Sequence, residues 1–158
     1  MTTSTVSLWH ARDATPEALA AAVNEAPITA LQEVRAAFVD HDVWAWPDGA
    51  GGVHVVIDGV FLGPAFEQEH SWLAFTINHL YPEADTYPHY VRADLARVDG
   101  VALVAPFHVG NTFQDQPAVM VSRSSPKRVS GLSTAARKAL TVTSFIQSQK
   151  VADEEVQP

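Results

Sequence analysis

The sequence predicts an α+β domain: an N-terminal helix, an antiparallel meander of four strands, and a C-terminal helix. Three observations lead there. Apolar residues alternate in short runs between 43 and 96, the two-residue period of half-buried strands. Clusters rich in Gly, Pro and Asp punctuate those runs, so neighbouring strands connect as hairpins. Capping signals and helical spacing occur only towards the two ends of the chain. Sequential hairpins flanked by helices argue against a parallel, doubly wound sheet.

Each element has its own justification. Residues 1–14 are polar and are expected to be loose. Thr15-Pro16-Glu17 reads as a helix start, with Thr as N-cap, Pro at the first helical position and an acid in the first turn. Pro27 cannot sit in a helix interior without losing a hydrogen bond, which places a break near Asn24 to Pro27. A second helix follows over 28–40, with Ile28, Leu31, Val34 (or the stem of Arg35) and Phe38 forming one apolar stripe that packs on the sheet. Val43 to Trp46 and Val53 to Val60 are strands joined by the turn cluster Pro47 to Gly52. Phe61 to Phe66 leads the chain out, and Glu67 to His70 make a polar turn. Trp72 to Asn78 and Tyr90 to Ala96 supply the third and fourth strands. Val101 to Ala105 is apolar enough to be buried, Gly110 to Gln116 reads as loop, and Pro117 to Ser122 as a short strand. Ser133-Thr134 caps a last helix, with Leu140, Phe145 (or Ser144) and Ile146 facing inward. From 150 the chain is an acidic tail with a disordered composition. One domain over 15–149, flanked by flexible ends, is the organisation these signals imply, with no internal repeat.

Bulk properties narrow the function classes. A chain of 158 residues can bury enough apolar surface to fold alone. The net charge of −8 argues against a phosphate-backbone footprint and gives no attraction to anionic membrane. No apolar run approaches the ~20 residues of a membrane-spanning helix, and the first residues lack the pattern of a secretory signal, so the cytoplasm is expected. The chain contains no cysteine, which removes disulfides, thiolate metal sites and thiol nucleophiles together.

The most informative stretch runs from Trp72 to Val91. It is a strand, a double turn at Tyr81-Pro82 and Tyr87-Pro88, then another strand, with Gly63-Pro64 upstream. Each proline fixes φ near −65° and pushes the tyrosine before it towards extended geometry, so the crossing is stiff. This order resembles ubiquitin-conjugating (E2) domains, prokaryotic E2-like families above all. The resemblance covers residues 28–148, with its most specific motifs over 57–95. It implies a UBC-like fold and a catalytic cysteine near Asp99 to Ala105. Ala102, Leu103 and Ala105 share that position in registers the sequence leaves open, and none of them can form a thioester. The family's His-Pro-Asn segment is missing, although His108 and Asn111 lie nearby. The resemblance therefore implies a non-catalytic E2-like protein that binds a ubiquitin-like protein, an E1-like enzyme or a true E2. On that reading Gly63, Pro64, Phe66, Tyr81, Pro82, Tyr87, Pro88 and His108 are the candidate binding residues, and no cofactor is needed. Two alternatives stay open: a genuine conjugating enzyme whose cysteine has been substituted, and an unrelated α+β small-ligand-binding domain.

Other chemistry is poorly supported. Ser122 and its neighbours lack the Gly-x-Ser-x-Gly elbow of a serine nucleophile. The seven histidines show no metal-ligand spacing; His79 and His89 flank the Tyr-Pro crossing, which gives them a route to each other in space, and both read as half-exposed polar residues. The acid pairs Glu83 and Asp85, and Asp94 and Asp99, lie in turns and at strand ends. Gly49 to Gly52 lacks the Lys-Ser/Thr of a phosphate loop. Trp44 and Trp46 share one strand face, which favours packing against a helix over an exposed patch.

Overall fold

A computed structural model describes residues 8–123 and 134–151. A 3-10 turn at His10–Arg12 precedes helices α1 (Pro16–Ala22) and α2 (Glu25–Ala37). Six strands follow: β1 (Val43–Pro47), β2 (Val53–Phe61), β3 (His70–Ile77), β4 (His89–Arg92), β5 (Phe107–Phe113) and β6 (Gln116–Val121). Helix α3 (Ala135–Gln147) comes after the sheet. All strand pairs are antiparallel, in the order β1-β2-β3-β4-β6-β5.

This corrects the expectation of a UBC-like fold with a four-stranded meander between its N-terminal and C-terminal helices. The two helices read before the sheet are both present, but a β5–β6 hairpin extends the sheet beyond β4 to six strands. The hairpin turns at Gln114 and Asp115, both with positive φ (49° and 71°), and a bulge interrupts β5 between His108 and Asn111. Gly110, with φ of 78°, sits in that bulge. The irregularity breaks the two-residue period, which is why 110–116 read as loop.

The helix break falls at Val23-Asn24, one step earlier than expected. Asn24 takes the N-cap position of α2 in extended geometry, so Pro27 lies in the first turn, where its missing N–H costs nothing. Thr15 caps α1 by accepting from the Ala18 amide at 3.1 Å. Thr134 caps α3 in the same way, accepting from the Arg137 amide at 3.1 Å.

The main core lies between the helices and the inner sheet face. Val55, Ile57, Leu73, Phe75 and Ile77 pack there with Leu31 and Val34 of α2 and Ala139, Val142 and Ile146 of α3. Each of the Val, Leu, Ile and Phe side chains among them contributes about 1.5–3 kcal/mol on burial. Side chains of the helices and of the inner sheet face meet across this interface.

The outer face carries a second cluster: Val56, Ala74, Phe113 and Ala118, with Trp44, Trp46, Trp72 and Tyr90 around them. Trp9 is its centre and is fully buried. The Trp9 ring stacks on Trp46 at 5.9 Å and meets Trp72 and Phe113 edge-on at 5.1 and 5.6 Å. Trp44 and Trp46 thus pack against the N-terminal arm and not a helix. Residues 8–14 are correspondingly not loose. The Ala14 amide donates to the Ala45 carbonyl at 2.8 Å, and Asp13 accepts from the Ala45 amide at 2.9 Å. Residues 1–7, most of the 122–126 serine stretch and the tail from 152 lie outside the described residues.

Candidate functional site

The segment where the family resemblance places its nucleophile, residues 99–105, joins β4 to β5 without regular structure. It was expected to be buried. Instead Val101 and Val104 are 49% and 69% exposed, and Ala102 and Ala105 also face solvent. Leu103 alone turns inward and packs on the main core. Arg97 and Asp99 set the path at the start of the segment. The Arg97 guanidinium donates to both carboxylate oxygens of Asp99, at 3.0 and 2.6 Å, and to the Lys150 carbonyl. Asp99 in turn accepts from the Val101 amide at 3.0 Å. A small depression of about 100 Å³ lies between residues 101–107, Arg97 and Gln149. Its wall mixes the apolar Val101, Leu103, Val104 and Phe107 with Arg97 and Gln149. The apolar side chains cannot accept an acyl group; they can only lose contact with water when covered.

The other expected binding residues separate into structural ties and exposed groups. Gly63 has φ of +91° and is buried, and an added Cβ would stand 2.8 Å from the Gln147 Cα at the end of α3. Only glycine allows that approach. Gly63→Ala is expected to cost about 2 kcal/mol, from the left-handed backbone and the clash together, read as a lower urea midpoint. Phe66 is buried and meets Phe107 edge-on at 5.9 Å, so it belongs to the core. The Tyr81 hydroxyl accepts from the Ala135 amide at 3.2 Å, tying the Tyr-Pro crossing to the first turn of α3. Pro64 and Pro82 are exposed, and Pro88 is half-buried. Tyr87 is 43% exposed and shares a 2.8 Å hydrogen bond with Ser122. His108, half-buried on β5, faces Met120 of β6, and its carbonyl accepts from the Asn111 side chain at 3.1 Å. The pair serves the bulge.

Sequence reasoning missed a buried polar cluster beneath the crossing. Lys138 of α3 forms an ion pair with both oxygens of Asp85, at 3.0 and 2.8 Å, and the two side chains are only 5% and 16% exposed. Beside them His89 is fully buried against Phe75, 5.0 Å between rings, and not half-exposed as expected. Neither of its ring nitrogens has a hydrogen-bond partner among the described residues. His79 is exposed, so the two histidines do not form a site, and no group of three potential metal ligands occurs among the described residues.

Burial, with the Lys138 charge adding to it and Asp85 opposing, lowers the His89 pKa to about 3. The unfolded chain takes up this proton near pH 6.5, whereas the native state refuses it until about pH 3. Stability therefore falls as pH drops through that window, by ~2 kcal/mol between pH 6.5 and 5 from this residue alone. Urea titrations at pH 7 and 5 measure the slope, and His89→Leu is expected to flatten it.

No described helix is long and apolar enough to cross a membrane. Comparisons of the chain with protein-family models, with curated proteins and with solved structures find no match.

Proposed function

We propose that this chain is a protein-binding component of a ubiquitin-like conjugation system that does not itself carry the acyl group. The observation that carries the reading is the character of the 98–109 segment. Val98, Val101, Val104 and Val109 are each about half or more exposed, at 48%, 49%, 69% and 65%. Val101 and Val104 stand where the E2-like motif would hold its nucleophile, and both line the depression there. Exposed apolar side chains around such a depression are what another protein covers. Acyl transfer through a thioester needs a sulfur that the chain lacks altogether. The resemblance of residues 57–95, with Gly63-Pro64, Tyr81-Pro82 and Tyr87-Pro88, supplies the partner class: a ubiquitin-like protein, an E1-like activating enzyme or a true E2. A cytoplasmic setting accords with that class.

The runner-up is a conjugating enzyme whose cysteine has been substituted, and the exposure of Ala102 and Ala105 favours it. One set of assays addresses both. The purified protein is expected to bind at least one of the three partner types and to form no thioester or ester with modifier and E1-like enzyme. Val101→Asp with Val104→Asp is expected to weaken binding about tenfold or more while leaving the far-ultraviolet spectrum unchanged. Binding to none of the partners, or a hydroxylamine-sensitive adduct on the wild-type chain, overturns the proposal. Efficient charging of Ala102→Cys or Ala105→Cys would move the assignment to the runner-up.

A further inference from the structure

A cleft of about 610 Å³ opens on the outer face of the sheet, beyond the Trp9 cluster. Its walls include Asp58, His70, Trp72, Arg92 and Asp94. Asp58 owes its place there to an irregularity in β2. The ladder with β3 shifts register between Ile57 and Val60, and Gly59 takes φ of +69°. A bulge of this kind re-aims the side chain it carries.

The charges in the cleft do not balance. On one wall the Arg92 guanidinium is committed to Asp94, at 2.5 and 2.9 Å, and to the His70 carbonyl at 2.9 Å. That pair is neutral as a unit. Asp58 has no such partner among the side-chain hydrogen bonds of the described residues; only the adjacent Gly59 amide and the His41 ring favour its charge. Burial, reinforced by Asp42, raises its pKa, while the Gly59 amide and His41 only partly offset that. A cation brought to this carboxylate would relieve a cost already built into the fold. The neighbouring aromatic surface already holds one. Arg12 places its guanidinium 5.4 Å from the Trp9 ring centre and 5.6 Å from that of Trp46.

We propose that this cleft binds an organic cation, a guanidinium or alkylammonium group seated between the Asp58 carboxylate and the Trp72 indole. Ion pairing and cation–π attraction would then act on one group, in a setting partly screened from water. The ligand is a free polyamine or an arginine or lysine side chain on a peptide, and both present the same chemistry to these residues.

Titration separates the sources and tests the site. N-acetyl-arginine amide and spermidine are added to the full chain, followed by tryptophan fluorescence and the Gly59 amide resonance. N-acetyl-citrulline amide, of the same shape without charge, is the comparison. Saturable binding of at least one cation is expected, about tenfold or more tighter than citrulline and about tenfold weaker in Asp58→Asn. Tighter binding of spermidine assigns a free polyamine, and the reverse order assigns a peptide side chain; either supports the site. Citrulline binding as tightly as the arginine amide, Asp58→Asn leaving affinity unchanged, or no saturation by about 10 mM of either cation overturns it. The citrulline comparison needs no variant, so it decides the matter even if Asp58→Asn fails to fold.

Discussion

Trp9→Ala is expected to lower the unfolding free energy by about 3–5 kcal/mol, the range for deleting a large aromatic from a packed site. Trp9 is fully buried, yet it lies in the arm and not in the helix–sheet core. Its three aromatic partners sit on strands that the arm joins only from outside. The sheet and helices therefore keep their own core when the ring is lost, and the damage is local: the arm peels away. Beyond the stability loss, tryptophan emission should shift to the red and the near-ultraviolet signal from the cluster should collapse. Far-ultraviolet ellipticity should change little. Trp9→Phe restores part of the contact area and should fall between the two. A stability change below about 1 kcal/mol for Trp9→Ala would mean that the arm contributes little to the folded state.

The buried ion pair predicts an equally large effect with a different signature. Asp85→Ala leaves the Lys138 ammonium beneath the Tyr-Pro crossing without its carboxylate, which is expected to cost about 3–5 kcal/mol. Lys138→Met is expected to cost less, because the methionine fills the space without a charge and the more exposed Asp85 can turn towards water. The double variant Asp85→Ala with Lys138→Met should recover stability relative to Asp85→Ala alone, since the buried ammonium goes together with its carboxylate. Denaturant midpoints of the three variants measure this coupling. Equal losses in Asp85→Ala and the double variant would show that packing, and not charge, sets the cost. Removing Lys138 also takes away the positive field that helps hold His89 neutral, so the acid sensitivity of Lys138→Met should soften.

The regular parts of the fold were legible where one side of a strand faces a core. In β3 the inner residues Leu73, Phe75 and Ile77 recur at every second position and declare their face at once, although the outer residues Ala74 and, on β2, Val56 are buried too, in the second cluster. Thr15 and Thr134 announced their helices because capping is a local interaction, decided within one turn. Of the β5–β6 hairpin only β6 was legible, as the short strand read over Pro117 to Ser122. The bulge in β5 and the two left-handed turn residues erase the alternation there, and the hairpin's pairing with β4 is long-range. The same limit applies to Trp9. Nothing local tells a tryptophan in a polar arm that it will meet Trp46, Trp72 and Phe113, residues dozens of positions away.

The candidate site shows a similar division. Its lack of a cysteine was readable from composition alone. The exposure of Val101 and Val104 was not, because an apolar run suggests burial unless a partner is invoked. Tyr81 and Phe66 drew attention as binding residues but hold the molecule together, one at the start of α3 and the other on Phe107. Asp58 went unnoticed, although the glycine after it in an otherwise alternating strand was a usable sign of a bulge.

The backbone link from Ala14 to Ala45 gives the arm a second duty. Strand β1 ends the sheet on that side, and an unguarded border of this sort invites other chains to add themselves. Anyone trimming the first fourteen residues to tidy a preparation would strip the guard and bare the indoles in one cut. The shortened chain should clump on concentration, and the fault would lie with the trimming rather than with the protein.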